Sequence, residues 1–382
     1  MLIHRSLYKT LQKKLGSNQV ILLVGARRVG KTVLINQLAD VYVGPKIVLN
    51  GEDSATAHLL SDQTIPSYQR WLGDTQLLLI DEVQAIPDFE KVLQFLVNSF
   101  PGLTILATSS SSFHIANQVN NFLTQHQQIY TLYPPAQLEI GLTETYLQTR
   151  QQLEERLIFG SYPEVLQMEK NTDRIDYLKS AVSSNLLKDI RQVEQVRNEE
   201  KMLQLLRLIA YQTGSEISYD DLSNQLQIDR NTVVRYLDLF ANVFILFRLG
   251  GYSKSLRKEV TKSSKWYFFD NGIRNALINN FDLLSQRPDT NVLWENYLMA
   301  ERLKRNAYLQ NQAVPYFWRT YDQQELSWVE EANEQLSGYA FKWYAGRVRF
   351  PKGFQKAYPN ATLSVINPEN YLDFITHNYF NV

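Results

Sequence analysis

The sequence predicts an α/β protein whose N-terminal part contains a parallel sheet. Five short apolar runs alternate with stretches of helical spacing. The runs lie near residues 20–24, 46–49, 77–80, 103–107 and 129–132. Continuous apolar strands that alternate with helices are typical of a parallel sheet covered on both faces. A glycine-rich loop also joins the first run to a helical stretch, which is the order of elements that such a sheet requires.

The composition indicates a folded chain of roughly two to four domains, since 382 residues exceed one ordinary core. The formal net charge is zero, so a nucleic-acid site would have to be a local patch. The chain has no cysteine, which excludes disulfides and thiolate metal sites and fits a reducing cytoplasm. The apolar runs are too short to span a membrane, and the first residues read as an amphipathic helix rather than a signal peptide. We therefore expect a cytoplasmic protein without a membrane partner.

The loop after the first apolar run is GARRVGKT, which fits the pattern G-x-x-x-x-G-K-[ST]. It consists of Gly25, Ala26, Arg27, Arg28, Val29, Gly30, Lys31 and Thr32, and Val33 follows it in the helix. In this pattern the two glycines let the backbone curl, so that its N–H groups surround a nucleotide's phosphates. Lys31 is expected on the β- and γ-phosphates, and Thr32 is expected to offer its hydroxyl to Mg²⁺.

An acidic pair, Asp81 and Glu82, follows the third apolar run, LLLI. We expect Asp81 to hold Mg²⁺ together with Thr32, and Glu82 to act as general base toward the attacking water. The fourth run ends in several serines, of which Ser109 is the candidate that contacts the γ-phosphate or the water, a role called sensor one. No guanine-reading Asn/Thr-Lys-x-Asp element follows that strand, so the sequence favours ATP over GTP.

Beyond the predicted ATPase core at residues 1–135, residues 136–198 are almost wholly helical and predict a lid beside the nucleotide site. Residues 199–265 read as helix, helix, turn, helix and two strands, which is the winged helix-turn-helix arrangement. Its candidate DNA-contacting residues are Arg230, Asn231, Thr232 and Arg235 on the outer helix face and Lys254, Arg257, Lys258, Lys262 and Lys265 in the wing. Four aspartates in the same segment oppose DNA binding, and a role in protein contacts is equally open.

These motifs resemble the AAA-superfamily ATPases of bacteria and archaea whose C-terminal half is a domain of unknown function. The resemblance rests on GARRVGKT, LLLIDEVQ, the serine-rich strand end and FGSYPEV, and then on NTVVRYLDLF, KWYFFDNGIRNAL, LWENYL and FWRTYDQQEL, so it covers nearly the whole chain. It implies that Gly160 and Pro163 help to seat the adenine. The chain departs from the family at Ala107 and Thr108, where relatives commonly have Thr-Gly.

The resemblance also implies a restriction-endonuclease-like α/β domain at residues 266–382. Glu295 fits the family's first carboxylate, but Ser327 replaces an aspartate and Ala340 replaces the glutamate of Glu-x-Lys. Serine and alanine cannot hold a divalent cation between them, so we expect an inactive structural or binding module. Glu325 as a substitute ligand keeps an ATP-dependent nuclease open as an alternative.

Two outputs of the predicted Mg²⁺-dependent ATPase therefore remain open. In the first, ATP drives a conformational switch that acts on DNA. In the second, ATP regulates assembly with a protein partner, and DNA is not contacted. The sequence does not indicate the oligomeric state, nor which arginine would stabilise the transition state.

Overall fold

The computed structural model describes residues 3–61, 64–112, 127–193, 198–253, 264–320, 323–344, 346 and 348–376. The N-terminal sheet consists of β1 (Val20–Val24), β2 (Lys46–Asn50), β3 (Leu77–Asp81), β4 (Thr104–Ser109) and β5 (Gln127–Thr131). All its pairings are parallel, in the order β2-β3-β4-β1-β5. The five predicted strands are thus confirmed. Because β4 lies between β1 and β3, its carboxyl end separates the glycine-rich loop from the acidic pair.

The described residues of this part of the chain form the helices α1 (Leu7–Gln12), α2 (Lys31–Val41), α3 (Ser54–Ser61), α4 (Ile65–Leu72) and α5 (Phe89–Ser99). The apolar spacing of α5 shows why these helices cover the sheet. Its buried residues are Phe89, Val92, Leu93, Leu96 and Val97, which recur at i, i+3, i+4, i+7 and i+8. Strand β1, which leads into the glycine-rich loop, and strand β3, which leads into the acidic pair, are almost fully buried, as a sheet covered on both faces requires.

The segment after the sheet is helical, as predicted. Its helices are α6 (Gln137–Ile140), α7 (Tyr146–Gln151), α8 (Leu153–Phe159), α9 (Pro163–Gln167), α10 (Asn171–Ser180) and α11 (Leu186–Val193). A π-helical turn, Ala181–Asn185, joins α10 to α11 without a break. Single π-turns within a helix are frequent at functional sites, and this one lies beside the glycine-rich loop.

In residues 198–253 and 264–268, which the structure describes, helices and then strands follow in the predicted order. They are α12 (Glu199–Tyr211), α13 (Tyr219–Leu226), α14 (Arg230–Asn242), β6 (Leu246–Gly251) and β7 (Lys265–Phe268). Side chains of Ser218 and Asp229 accept hydrogen bonds from the first-turn N–H groups of α13 and α14, which fixes where these two helices begin. The strands β6 and β7 pair antiparallel. Lys254, Arg257, Lys258 and Lys262 lie outside the described residues.

The C-terminal part contains α15 (Asn271–Ile278), α16 (Thr290–Tyr308), β8 (Val314–Arg319), β9 (Glu325–Ala332), β10 (Gln335–Phe341), α17 (Lys352–Ala357), β11 (Thr362–Ile366) and α18 (Tyr371–Ile375). Its sheet has the order β11-β10-β9-β8-β6-β7. The predicted domain boundary between 265 and 266 is therefore wrong, because it falls inside β7. The reason is that β6 pairs with β8 at Gly250 and Gly251, which satisfies backbone groups that an isolated hairpin would leave open.

The aromatic runs at 266–269 and 316–318 pack in the protein. Trp266, Tyr267, Phe268, Phe317 and Trp318 are buried. The prediction that they belong to the core is confirmed. Among the described residues, no helix combines the length and the apolar character needed to cross a bilayer.

Candidate active site

The glycine-rich loop leaves β1 and enters α2, as the motif requires. Gly25 has φ 156° and donates its N–H to the main-chain oxygen of Ser109 at 3.2 Å. A Cβ at this position would lie 2.1 Å from the main-chain oxygen of Leu132, so only glycine fits. Gly30 has φ 98°, in the left-handed region. Both glycines are therefore explained by backbone geometry.

Lys31 is the first residue of α2 and is only 4% exposed. Its Nζ donates to the main-chain oxygens of Gly25 and Ala26 at 2.9 and 3.0 Å. The same atom is 4.0 Å from Oε1 of Glu82. The ammonium group is thus positioned over the loop and next to the acidic pair.

Asp81, the last residue of β3, contacts the start of α2 and the neighbouring strand β4. Its Oδ2 accepts a hydrogen bond from Thr32 Oγ1 at 2.7 Å, and its Oδ1 accepts one from Thr108 Oγ1. Thr32 and Asp81 therefore present a hydroxyl and a carboxylate to the same point, which is the hard-oxygen donor set that Mg²⁺ prefers. The donors in this chain fit the cation that the motif implies.

Glu82 has φ 49°, an uncommon conformation for a residue with a Cβ. Its N–H donates to Thr108 Oγ1 at 2.9 Å, and its Oε2 accepts a hydrogen bond from Gln84 Nε2 at 2.5 Å. Gln84 also donates to Ser110 Oγ at 3.0 Å. Contacts from both sides therefore hold the Glu82 backbone and carboxylate in place, as a positioned general base requires.

The serine-rich strand end brings a further residue, Thr108, to the acidic pair, and the sensor role of Ser109 stays a prediction. Ser109 Oγ forms its hydrogen bonds with Ser111, donating to the main-chain oxygen at 2.7 Å and accepting from the N–H at 3.2 Å. The residue of β4 that contacts the acidic pair is Thr108. Ile80 and Ala107 are register partners, so Thr108 is level with Asp81, but this register follows from the folded sheet and no sequence motif marks it.

Arg27 and Arg28 face the helices that follow the sheet. Arg27 Nη2 and Lys188 Nζ each lie 3.0 Å from Oε1 of Glu52. The hydrogen bond from Lys188, followed by the contact with Arg27, lowers the pKa of Glu52. The guanidinium of Arg28 lies 5.4 Å from the ring centroid of Tyr177. The loop is thus joined to α10 and α11 by two polar contacts.

A hollow lies between the loop and these helices. Its lining residues are Ala26, Arg27, Arg28, Tyr162, Ala181, Val182, Leu186, Val243, Ile245 and Ile273. Of the remaining loop residues, Val29 is buried, whereas Val33 on α2 is 53% exposed. The hollow therefore combines apolar side chains with the two arginines of the loop.

Gly160 and Pro163, the two residues expected near the adenine, lie in different surroundings. Gly160 has φ 74°, and a Cβ there would lie 2.0 Å from Oδ1 of Asp270. The other carboxylate oxygen of Asp270 accepts a hydrogen bond from Ser161 N at 2.7 Å, so Gly160 is explained by this close approach. Pro163 opens α9 directly after Tyr162, which lines the hollow. Their contact with adenine stays a prediction.

The C-terminal carboxylates have polar partners within the protein. Glu295 accepts hydrogen bonds from Tyr267 OH at 2.8 Å and from Ser327 Oγ at 2.9 Å. Glu325 forms an ion pair with Lys265. Lys265 is buried, so its predicted role as a phosphate-contacting wing residue is wrong. No cluster of His, Asp and Glu that could hold a metal ion occurs in the described part of the chain.

The predicted DNA-contacting face of α14 is exposed at Arg230, Asn231 and Arg235. Arg230 Nε lies 3.2 Å from Oδ1 of Asp220, in an ion pair whose two side chains are 54% and 74% exposed. Such exposed pairs contribute little, so Asp220 does not prevent Arg230 from meeting another anion.

Three segments of the chain match known families. Residues 17–141 match the family described as AAA domain. Residues 150–284 match Domain of unknown function (DUF8612), and residues 291–380 match Domain of unknown function (DUF4143). The first match and the loop geometry agree. Residues 17–141, which contain the glycine-rich loop and the acidic pair, are thus similar to the AAA domain family, and the C-terminal segment is similar to a family of unknown function.

The curated relatives have no described activity. An uncharacterized protein of Mycobacterium tuberculosis is 24% identical over 337 residues, which is 87% of this chain and 72% of that protein. An uncharacterized protein of Methanocaldococcus jannaschii is 23% identical over 392 residues, which is 97% of this chain and 85% of that protein.

Solved structures show distant likenesses. The Walker-type ATPase of Pyrococcus abyssi has a TM-score of 0.48 at 14% identity, covering 72% of this chain and 96% of that one. The RuvB Holliday junction branch migration motor of Thermotoga maritima has a TM-score of 0.35 at 14% identity, covering 64% and 90%. At these scores no functional inference follows from either likeness.

Proposed function

We propose that this protein hydrolyses ATP with Mg²⁺ and uses the reaction to switch its conformation. One observation carries the proposal. Thr32, Asp81, Thr108 and Glu82 form a continuous hydrogen-bonded chain across the carboxyl ends of β3 and β4, and Oε1 of Glu82 lies 4.0 Å from the Lys31 ammonium. A phosphate-binding loop, a metal-binding oxygen pair and a held carboxylate are the groups that phosphoryl transfer to water requires.

Thr32 and Asp81 would hold the magnesium ion. When bound, Mg²⁺ neutralises negative charge on the β- and γ-phosphate oxygens. The hydrogen bond from Thr108 keeps Asp81 facing Thr32, so the pair needs little rearrangement to accept a cation.

Lys31 and the amides of the loop would stabilise the charge of the phosphates. With a triphosphate present, the Lys31 ammonium would exchange its main-chain partners, Gly25 and Ala26, for phosphate oxygens. Glu82 would accept a proton from, or orient, the water that attacks the γ-phosphate in line, with ADP as the leaving group. The hydrogen bond from Gln84 would keep the carboxylate of Glu82 in place during this step.

DNA is the proposed target of the switch, because α14 presents Arg230, Asn231 and Arg235 on one exposed face. Such a face at the start of a recognition helix is suited to base edges and phosphates. The C-terminal carboxylates give no comparable support for nuclease activity, because both have partners within the protein. Glu325 forms an ion pair with Lys265, and Glu295 accepts hydrogen bonds from Tyr267 and Ser327. Assembly with a protein partner, without DNA, is the alternative that a DNA-binding experiment would separate.

The ATPase proposal is tested by fluorescent-nucleotide titration and phosphate release with two variants. Lys31→Ala should abolish measurable nucleotide binding, because it removes the ammonium group that the GK[ST] part of the motif supplies. Glu82→Gln should bind ATP like the wild type and lose roughly a hundredfold or more in turnover.

Lys91→Ala is the matched control, because Lys91 is 72% exposed and pairs with neighbouring Asp88 on the surface of α5. It should bind and hydrolyse ATP as the wild type does. Hydrolysis by Glu82→Gln at the wild-type rate would show that Glu82 is not the base. Failure of the wild type to bind ATP or ADP would end the proposal.

A further inference from the structure

Arg5 lies outside every motif of the nucleotide site, yet it touches the loop directly. It is only 8% exposed. Its Nη1 donates to the main-chain oxygen of Val29 at 2.5 Å, and its Nη2 donates to that of Tyr133 at 2.6 Å. One guanidinium thus joins the glycine-rich loop to the segment that follows β5.

The buried charge of Arg5 is balanced by a carboxylate. Its Nε donates to Oε1 of Glu139 at 3.2 Å, and Glu139 is fully buried. The same oxygen accepts the N–H of Ser6 at 2.7 Å, and Oε2 accepts that of Ala136 at 3.0 Å. A buried ion pair persists only when its partners form further hydrogen bonds, and here each guanidinium nitrogen of Arg5 and each carboxylate oxygen of Glu139 forms at least one. Arg5 is therefore held firmly in this position.

The bond to Val29 has a consequence for the loop. A trans peptide is planar, so the C=O of Val29 and the N–H of Gly30 point in opposite directions. By fixing that carbonyl, Arg5 also fixes where the Gly30 N–H points, which is away from the guanidinium. In a phosphate-binding loop the amides near this glycine surround the α- and β-phosphates. Because Gly30 has no Cβ, this peptide could rotate easily if nothing held it.

The C-terminal half contributes to the same contact. Tyr308, in the last turn of α16, accepts hydrogen bonds at its OH from Tyr133 N at 3.0 Å and from Arg5 Nη2 at 3.3 Å. Nearer the middle of the same helix, Glu301 accepts a hydrogen bond from Gln137 N at 2.6 Å and forms a buried ion pair with Lys304. The long helix α16 thus supports the groups that hold Arg5.

We propose that Arg5 is a positioning residue for phosphate binding, which orients the Gly30 amide through the Val29 carbonyl, and that Tyr308 of α16 holds Arg5 for this task. The inference rests on the proposed function. It makes the C-terminal domain part of what forms the nucleotide site, although none of its side chains would touch the nucleotide in this role.

The test compares Arg5→Ala, Arg5→Lys and Tyr308→Phe with the wild type in titrations of fluorescent ADP and ATP. Arg302→Ala is the matched control, because Arg302 is also 8% exposed and donates to Glu330 at 2.7 and 2.6 Å and to the main-chain oxygen of Phe374 at 2.6 Å. Thermal melts establish a temperature at which each variant is folded.

Arg5→Ala should lose roughly tenfold or more in affinity, equally for ADP and ATP, because both carry the phosphates that the loop amides surround. Arg5→Lys and Tyr308→Phe should lose less. Arg302→Ala should melt earlier than the wild type but bind with wild-type affinity. Millimolar guanidinium ion should restore part of the affinity of Arg5→Ala and leave that of Arg302→Ala unchanged, which a merely structural role would not produce.

The inference is overturned if the folded Arg5 variants bind as tightly as the wild type. Should Arg5→Ala fail to fold, Arg5→Lys and Tyr308→Phe decide the matter by the same criterion. Equal losses in Arg5→Ala and Arg302→Ala would also overturn it, since the effect would then come from stability alone. A wild type that binds neither nucleotide would instead refute the proposed function.

Discussion

At the scale of single residues, Thr108 is the side chain that joins the two acidic groups of the site. It donates to Asp81 and accepts from the backbone of Glu82, whereas Ser109 next to it bonds within the serine loop. Removing the Thr108 hydroxyl frees Asp81 to rotate and leaves the Glu82 N–H without this acceptor. Misplacing a catalytic group lowers the turnover rate far more than it lowers the affinity for the nucleotide.

We therefore expect Thr108→Ala to lower ATP turnover roughly tenfold or more with little change in nucleotide affinity. Ser109→Ala is the neighbouring control and should retain most of the turnover. Phosphate release under saturating ATP measures the first quantity, and titration with a fluorescent analogue measures the second. A larger loss in Ser109→Ala than in Thr108→Ala would favour Ser109 for the sensor role.

The sequence alone predicts those site residues whose chemistry is written in a local motif. Lys31, Thr32, Asp81 and Glu82 belong to this class, and the structure brings them together. Arg5 and Thr108 do not, because their importance comes from contacts with distant parts of the chain: Arg5 reaches Val29 and Tyr308, and Thr108 depends on the parallel register of β4 beside β3. Such contacts follow from tertiary structure, which no local pattern encodes.

At the scale of elements, a buried group of charges joins α15 to the start of α16. Asp289 accepts hydrogen bonds from Arg287, with Nε to Oδ1 at 2.6 Å, and forms an ion pair with Arg274. Burial by itself would raise the pKa of Asp289, but the hydrogen bonds and charges of Arg287 and Arg274 outweigh it and lower the pKa to about 2. The connection between the two helices is thus held by a carboxylate that must stay ionised.

This pKa gives the stability a defined pH dependence. Because the pKa is lower in the folded chain than the ordinary 3.8, the contribution is fully present above about pH 4. It is lost as the pH falls toward 2, and it amounts to at most about 2 kcal/mol. We expect Asp289→Asn to lower the melting temperature at pH 7 and to narrow its gap to the wild type as the pH falls through this range. Asp282→Asn, at an exposed position of the same connection, should melt like the wild type throughout.

At the scale of the whole molecule, the proposed action on DNA depends on a local patch, because the chain has no net charge. The logarithm of the binding constant for duplex DNA should fall linearly with the logarithm of the salt concentration. Arg230→Ala and Arg235→Ala should each weaken binding and reduce the salt slope by about one for each phosphate that the variant no longer neutralises. Fluorescence anisotropy at several salt concentrations measures both, with exposed Arg150→Ala as the control. Equal binding by all three variants, or none by the wild type at low salt, would favour the protein-assembly alternative.

The overall fold was predictable where periodicity is strong. The five strands of the N-terminal sheet and the helical character of the following segment appear as predicted, because buried strands and helices leave continuous or spaced apolar patterns. The union of β6 and β7 with the C-terminal strands was not predictable. It depends on Gly250 and Gly251 meeting Tyr316 and Phe317 far along the chain, and backbone pairing of this kind leaves no mark on residue type.

That shared sheet restricts how this molecule can be divided. The two family segments at 150–284 and 291–380 contribute strands to one hydrogen-bonded layer, so neither segment by itself contains a closed folding unit. A fragment ending between them would expose the bonding edge of β6, which invites association with other chains. A recombinant truncation that keeps this sheet intact therefore has to retain both segments.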